Sequence, residues 1–164
     1  MKDTLLPGIR YQHKFIVPES KIVAALYPES EEIVAMPKVF ATGFLVGLLE
    51  WACIKAIKPH LDWPREQTVG TYIDVSHEAA TPPGVEITSC VDLIIVEGKK
   101  LTFAVNAYDG VDLISKDDTS GLSSTKSCLI KRYEQRQAGL RIAGFRARIP
   151  FNSDSCVETL CGPS

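Results

Sequence analysis

The spacing of apolar residues predicts a half-buried strand, one long helix and then several long strands. Residues 9–17 alternate, and the face typical of a half-buried strand holds Ile9, Tyr11, His13, Phe15 and Val17. A nearly continuous apolar segment, A-T-G-F-L-V-G-L-L-E-W-A-C-I-K-A-I, predicts a helix from about residue 39 or 42 to His60. Because this helix is apolar nearly all round, we expect it to be buried.

After this helix the hydrophobic period changes to two, which predicts strands. The first runs from Val69 to Ala79 and carries Ile73, Val75 and His77 on one face. The next two form a hairpin, Val85 to Val96 and Leu101 to Tyr108, separated by the tight reversal E-G-K.

Three weaker signals complete the order of elements. A short helical stretch, K-I-V-A-A-L, and a loop or lid over residues 27–37 precede the long helix, and C-L-I-K-R-Y is consistent with a last strand. One helix followed by antiparallel strands predicts an α+β layer architecture. The hot-dog fold, in which a curled antiparallel sheet wraps one long buried helix, has this order. We expect this domain to span residues 1–135 and residues 136–164 to form a poorly ordered tail.

Composition narrows the function classes. The 164 residues carry a formal net charge of −2, which gives no reason to expect nucleic acid or an anionic membrane as a partner. No apolar run is long enough to span a bilayer, and we expect no signal peptide because the start, M-K-D-T-L-L-P-G-I-R, lacks a long apolar stretch. The five cysteines, an odd number at irregular spacing, favour free thiols in a reducing compartment. We therefore expect a cytoplasmic protein without a metal, since no metal-ligand spacing is present.

Glu50 is the most informative residue, because it lies deep in the apolar helix without a helical partner of opposite charge. A buried charge without a partner is costly. One interpretation makes Glu50 a general base or nucleophile acting on an electrophilic carbonyl. The other makes it a carboxylate that is hydrogen-bonded to a neighbouring strand or exposed at the helix end.

Thr42 and His77 also admit both a structural and a chemical interpretation. Threonine is a preferred N-cap residue, so Thr42 is a candidate cap; a helix start also offers N–H groups to a thioester oxyanion. His77 lies on the strand face that should meet the helix, where it is either a structural core histidine or a catalyst that converges with Glu50 on one seam. His13 and His60 have weaker claims.

Glycines near these residues are candidates for contact with substrate. Gly43 would let a substrate approach the helix start, and Gly70 marks a bulge or a place where a ligand nears the backbone. For Gly47 we favour helix-to-sheet packing. Thr42 and Glu50 are eight residues apart, roughly 12 Å along a helix axis, so a substrate or a second subunit would have to close the gap.

Four segments in nearly continuous register resemble the fluoroacetyl-CoA thioesterase group of hot-dog proteins: V-F-A-T-G-F-L-V-G-L-L-E-W-A-C, H-E-A-A-T-P-P-G, V-E-G-K-K-L-T-F and D-G-V-D. The resemblance covers roughly residues 1–115. It implies a homodimeric acyl-CoA hydrolase in which Thr42, Glu50 and His77 are catalytic and Gly70 lines the acyl site. His77 would be the base that acts at the carbon next to the carbonyl. The substrate would be an acyl-CoA, and no separate cofactor is implied.

The chain departs from this family pattern in two places. The lid has Ile33 and Met36 where the fluoroacetyl enzyme carries phenylalanines, so we expect weaker selectivity for the fluorinated substrate. A G-T-H-E-R-like segment with an arginine near the active site has no counterpart in D-D-T-S-G-L-S-S-T-K; Lys126, Lys131 and Arg132 are candidate substitutes. Hydrolysis of a short acyl-CoA is the first interpretation. A non-hydrolytic acyl-CoA-binding module is the alternative, and a hot-dog hydratase or dehydratase is the third.

Overall fold

The computed structural model describes residues 1–115 and 125–132. Its helices and strands are, in chain order, β1 Arg10–Ile16, α1 Glu31–Val34, α2 Thr42–Ile57, β2 Glu66–Tyr72, β3 Glu86–Glu97, β4 Lys100–Tyr108, β5 Leu113–Ser115 and β6 Thr125–Arg132. Single turns of 3-10 helix occur at Glu19–Lys21, Val23–Ala25 and Lys58–His60. None of the helices in this described part is long and apolar enough to cross a bilayer.

The strands form one antiparallel sheet in the order β1-β3-β4-β6-β2, and β5 pairs with β4. β1 and β2 are therefore the edge strands of this path. Helix α2 packs against β1, β3 and β4 on one face of the sheet. One long helix against a curled antiparallel sheet confirms the predicted α+β architecture.

The alternation of apolar and polar residues in the sequence appears as alternating burial in β1 and in the β3–β4 hairpin. His13 and Val17 are buried, and β3 buries every second residue from Ile87 to Leu93. The hairpin reverses at Gly98, whose φ of +56° lies in the left-handed region that glycine adopts without strain. The outlier is Tyr11, which is exposed although it shares its face with buried residues.

Helix α2 buries one side only, so the expectation that it is buried all round is wrong for the single chain. The residues that face the sheet are Leu45, Leu48, Leu49, Ala52, Cys53, Ala56 and Ile57. Thr42, Gly43, Gly47 and Trp51 are exposed, because no element of the described chain covers the outer side of the helix. Glu50 lies between the two sides and is half-buried.

Two expectations about the strands need correction. The strand predicted to end near Ala79 ends at Tyr72, so His77 lies in the connection to β3 and not in the sheet. The pairing of β2 with β6 is already irregular between Gly70 and Tyr72, where the chain begins to leave the sheet. The short strand β5 was not expected, whereas β6 confirms the weak signal for a last strand. The predicted boundary at residue 135 and the predicted tail 136–164 lie outside the described residues.

Candidate active site

Thr42 is the first residue of α2, and its hydroxyl does not cap the helix. The N-cap is Ala41, which has extended backbone and no side-chain cap. The hydroxyl Oγ1 of Thr42 instead lies 2.9 Å from Nδ1 of His77, within hydrogen-bond distance. The interpretation of Thr42 as the N-cap is therefore wrong, because its side chain is engaged by a residue from another part of the chain.

His77 is held in the 73–85 connection with one face towards the start of α2. The backbone N–H of the next residue, Glu78, donates to the carbonyl of Ile114 in β5 over 2.9 Å. Burial lowers the pKa of His77, and the backbone of Ala79 opposes this shift in part. The neutral imidazole is thus favoured near neutral pH, which is the form that accepts a proton.

The second ring nitrogen of His77 is available for chemistry. Nδ1 faces Thr42, whereas Nε2 is buried and makes no hydrogen bond of normal geometry to the described residues. A buried polar atom without a partner is costly and needs an explanation, such as a bound group that it contacts during function. Nε2 is therefore the atom of this ring at which a proton can be taken up.

Glu50 lies two turns along α2 and is positioned by β2. Its Oε1 accepts a hydrogen bond of 2.8 Å from the backbone N–H of Gly70. Gly70 borders the register shift in β2, so the predicted bulge at this glycine is confirmed. The open interpretation of Glu50 as a carboxylate bound to a neighbouring strand is confirmed as a contact, whereas its role as a base or nucleophile stays a prediction.

The remaining predicted site residues occupy different surroundings. A Cβ at Gly43 would lie 3.2 Å from Cδ2 of Leu26, so this glycine provides room for the side chain that follows the 3-10 turn Val23–Ala25. A Cβ at Gly47 would have no atom of another element within 4 Å, so the interpretation that this glycine serves helix-to-sheet packing is wrong. Ile33 is half-buried on α1 and Met36 is 49% exposed just after it. Contact of these two side chains with a substrate stays a prediction.

The other two histidines lie outside this pair of contacts. Nδ1 of His13 is 3.3 Å from Nζ of Lys55, and its ring meets Trp51 edge-on at 4.5 Å. Nδ1 of His60 is 2.9 Å from the hydroxyl of Thr4. Both Nδ1 atoms have their partners away from Thr42, in line with the weaker claims of these two histidines, although Nε2 of His13 is also buried without a hydrogen-bond partner among the described residues.

The strand beside β2 shows where the candidate basic residues stand. Cys128 of β6 is paired with Gly70, whereas Lys131 and Arg132 are paired with Gln67 and Glu66 at the start of β2. Lys126 is paired with Phe103 of β4. Replacement of the missing arginine by one of these residues stays a prediction, and the segment 116–124 lies outside the described residues.

Sequence reasoning gave no role to Thr81, although it lies between the two halves of the site. Its carbonyl accepts a hydrogen bond of 2.7 Å from the N–H of Phe40, two residues before Thr42. Its position in the turn A-T-P-P-G, shortly after His77, is the signal that marks it. Together the contacts place a hydroxyl and an imidazole at the positively polarised start of a helix, with a carboxylate further along it.

Comparison with known proteins identifies the family of the chain. Residues 23–120 match the family model described as fluoroacetyl-CoA-specific thioesterase. A fluoroacetyl-CoA thioesterase of Streptantibioticus cattleyicolor is 53% identical over 114 residues, which are 70% of this chain and 81% of that protein.

Solved structures extend the match to the fold. A mutant of the fluoroacetyl-CoA-specific thioesterase FlK superposes with a TM-score of 0.77 at 45% identity, over 87% of this chain and 99% of that one. A thioesterase superfamily member of Thermus thermophilus shares the fold with a TM-score of 0.69 at 23% identity, over 86% of this chain and 94% of its own. The predicted hot-dog fold is thereby confirmed, and the chain belongs to the fluoroacetyl-CoA-specific thioesterase family of thioester hydrolases.

Proposed function

We propose that this protein hydrolyses the thioester of a short acyl-CoA, fluoroacetyl-CoA or a related small acyl group, to the acid and free CoA. The observation that carries the proposal is the 2.9 Å contact between Oγ1 of Thr42 and Nδ1 of His77 at the start of α2. Attack on a thioester carbonyl develops negative charge on its oxygen, and N–H groups at a helix start stabilise such charge.

Each of the three side chains has a role that follows from its contacts. The hydroxyl of Thr42 lies beside the helix start, where its oxygen accepts the Nδ1–H of His77 and its own O–H donates towards the acyl oxygen. The neutral imidazole of His77 accepts a proton at Nε2, because Nδ1 is engaged with Thr42. The carboxylate of Glu50, oriented by the N–H of Gly70, acts as the base for the attacking water, and the substrate or a second subunit closes the gap of roughly 12 Å between Glu50 and Thr42. Water gives a proton to Glu50 and adds to the carbonyl carbon, the C–S bond breaks, and the CoA sulfur takes that proton from Glu50 and leaves as the thiol.

Release of free CoA from a panel of substrates tests this function. Acetyl-, fluoroacetyl- and malonyl-CoA and longer acyl-CoAs are each incubated with the protein, and the thiol is titrated as it appears. We expect turnover with the smallest acyl groups. Binding without release for every substrate would instead support the acyl-CoA-binding alternative.

A homodimer with its active sites near the subunit boundary is part of the proposal. Strand β2 is an edge of the sheet, and two large apolar side chains on either side of Gly70, Val69 and Tyr72, are 39% and 57% exposed. An unpaired apolar edge favours pairing with another strand. The partner would lie next to the Glu50–Gly70 contact and would cover the site on that side.

Sedimentation measures the mass of the particle in solution and tests the dimer. We expect about twice the 18.0 kDa chain mass. The variant Tyr72→Lys places a charge on the edge and should shift the protein towards the monomer with loss of activity. The matched control is Val111→Lys, at a side chain that is 90% exposed in the β4–β5 turn, which should leave the mass unchanged. A fully active monomer would contradict this part of the proposal. We also propose a cytoplasmic location, where the free thiols of Cys53 and Cys90 would persist.

A further inference from the structure

Asp109 organises the turn that follows β4, within the D-G-V-D segment. Its Oδ1 accepts hydrogen bonds from the backbone N–H groups of Val111, at 3.1 Å, and Asp112, at 2.8 Å. Its own N–H donates to the carbonyl of Asp112 over 3.1 Å, and Gly110 supplies the left-handed φ of +88° that the turn needs. The N–H of Asp112 above all holds the pKa of Asp109 below its usual range, so its side chain stays an acceptor.

The second oxygen of the same carboxylate reaches out of the turn. Asp109 Oδ2 accepts a hydrogen bond of 3.0 Å from the hydroxyl of Thr81, which is fully buried. A hydrogen bond to a charged acceptor is about twice as strong as a neutral one. This hydrogen bond thus ties the turn after β4 to the connection that carries His77.

Thr81 is linked on its other side to the helix start. Its carbonyl accepts the N–H of Phe40 over 2.7 Å, and Phe40 is itself almost fully buried. Thr42 follows two residues later, so a shift of Thr81 would be transmitted to the backbone from which the Thr42 side chain projects.

The contacts close into a ring around the Thr42–His77 pair. The ring runs from Thr42 through Phe40 and Thr81 to Asp109, and through β5 to the Ile114 carbonyl that receives the N–H of Glu78, next to His77. The 2.9 Å contact between Thr42 and His77 completes it. The connection 73–85 lies outside the sheet. These hydrogen bonds, and not strand pairing, therefore hold the segment that carries the His77 imidazole.

We propose that Thr81 and Asp109 are positioning residues, which act through one hydrogen bond to hold the His77 connection against the start of α2 and so keep Thr42 and His77 in contact. The proposal rests on the proposed function of that pair. Neither residue touches the reacting atoms. A misplacement of about 1 Å by a remote change can cost on the order of 10²-fold in rate, so the effect falls on kcat.

The test compares variants of the full chain in hydrolysis of acetyl-CoA or fluoroacetyl-CoA. Thr81→Val keeps the side-chain shape and removes the hydroxyl, whereas Thr81→Ser keeps the hydroxyl. Asp109→Asn retains the Oδ1 acceptor for both N–H groups and replaces only the oxygen that faces Thr81. The control is Thr102→Val, at a buried threonine on β4 roughly 20 Å along the strand from Tyr108.

We expect Thr81→Val and Asp109→Asn to lower kcat by about 10- to 100-fold with KM within about threefold of wild type. Thr81→Ser should recover kcat to within about threefold, and Thr102→Val should leave it within about twofold. A purely structural role would lower the melting temperature of Thr81→Val without this split between kcat and KM. If Thr81→Val does not fold, Asp109→Asn carries the same comparison.

A double-mutant cycle separates this inference from the proposed function. In a His77→Ala background Thr81→Val should change kcat by less than about twofold, because the Thr42–His77 contact that Thr81 maintains is gone. An undiminished loss in that background, or wild-type kcat for both Thr81→Val and Asp109→Asn, would overturn the positioning role while leaving the function intact. Wild-type kcat for His77→Ala alone would identify failure of the proposed function itself.

Discussion

The carboxylate of Glu50 accepts a hydrogen bond of 2.8 Å from the backbone N–H of Gly70, beside the irregularity in β2. A bulge changes the direction of backbone groups along a strand, and glycine permits a close approach to another element. The contact therefore couples the middle of α2 to the edge strand. It also fixes one carboxylate oxygen in a known direction.

Glu50→Gln should abolish most turnover without unfolding the protein. The glutamine carbonyl oxygen can still accept the N–H of Gly70, but the side chain has lost its charge and its basicity. Loss of a positioned general base costs on the order of 10²–10⁴-fold in kcat. Turnover by CoA release and the melting curve of the same sample measure both properties.

The matched control for Glu50→Gln is Glu86→Gln on β3. Glu86 pairs with Lys14 at the surface over 2.7 Å, and a surface ion pair contributes about 0–1 kcal/mol. This variant should keep wild-type kcat. A loss below about threefold for Glu50→Gln would show that Glu50 is only a structural acceptor.

Replacing Thr42 should change activity much more than stability. Because Ala41 is the N-cap and Thr42 makes no capping bond, Thr42→Val should not show the loss of about 1 kcal/mol that removal of a threonine cap causes. It should lower kcat by about 10²-fold or more, since the hydroxyl that faces His77 is gone. Thr42→Ser, which keeps that hydroxyl, should stay within about tenfold of wild type. Equal activity of the valine and serine variants would contradict a chemical role for the hydroxyl.

The pH dependence of activity should follow His77. Burial lowers its pKa below the ordinary value of 6.5, so the neutral base persists below that pH. We expect the acid limb of kcat/KM to fall below pH 6.5, with full activity above it. An acid limb above pH 6.5 would contradict the assignment of this limb to His77.

Stability should fall over an overlapping pH range, because both His77 and His13 have lowered pKa values, His13 through burial and then through Lys55. Below about pH 6.5 the unfolded chain binds more protons than the folded one, so the free energy of unfolding decreases as the pH falls. The decrease ends once the pH is below the folded pKa values. His13→Gln should make this decrease smaller and leave the acid limb of kcat/KM in place, which separates the two histidines.

The parts of the fold that the sequence predicts are those with local causes. The β3–β4 hairpin follows from alternation and a glycine turn, and α2 follows from a long apolar run, so their bounds agree closely with the structure. Strand β5 has only three residues, which are too few to show a period in the sequence. It is defined by its pairing with β4.

The sequence did not predict the contacts of Thr42 and His77, and the catalytic roles of these residues stay predictions. The local preference of threonine for the N-cap position favours Thr42 as a cap, yet its hydroxyl contacts a histidine 35 residues away. Alternation continues past Tyr72 and predicts His77 on a strand, but the chain leaves the sheet near the register shift at Gly70. The contact of the Thr42 hydroxyl and the position of His77 both depend on contacts between segments that are distant in sequence. The hydrophobic period of one sequence does not show which segments make such contacts.

Selectivity for fluoroacetyl-CoA over acetyl-CoA should be weak if the lid provides it. Helix α1 buries none of its residues, Ile33 is only half-buried, and Met36 is 49% exposed in the single chain. Methionine is flexible and fills space loosely, so such a lid excludes water less well than an aromatic one. A fluorine differs little in size from hydrogen, and packing differences of one methylene are worth only about 1–3 kcal/mol. We therefore expect a kcat/KM ratio for the two substrates below about 10³, equivalent to about 4 kcal/mol.

The same comparison across lid variants identifies the source of whatever selectivity exists. Ile33→Phe and Met36→Phe should raise the ratio if an aromatic lid holds the small acyl group, whereas Val34→Phe, at a 51% exposed position of the same helix, should not. High selectivity without these changes requires a chemical step, such as removal by His77 of the proton that fluorine makes more acidic. That step does not depend on lid packing, so a wild-type ratio above about 10³, unaffected by the three variants, would refute the lid argument and assign the specificity to His77.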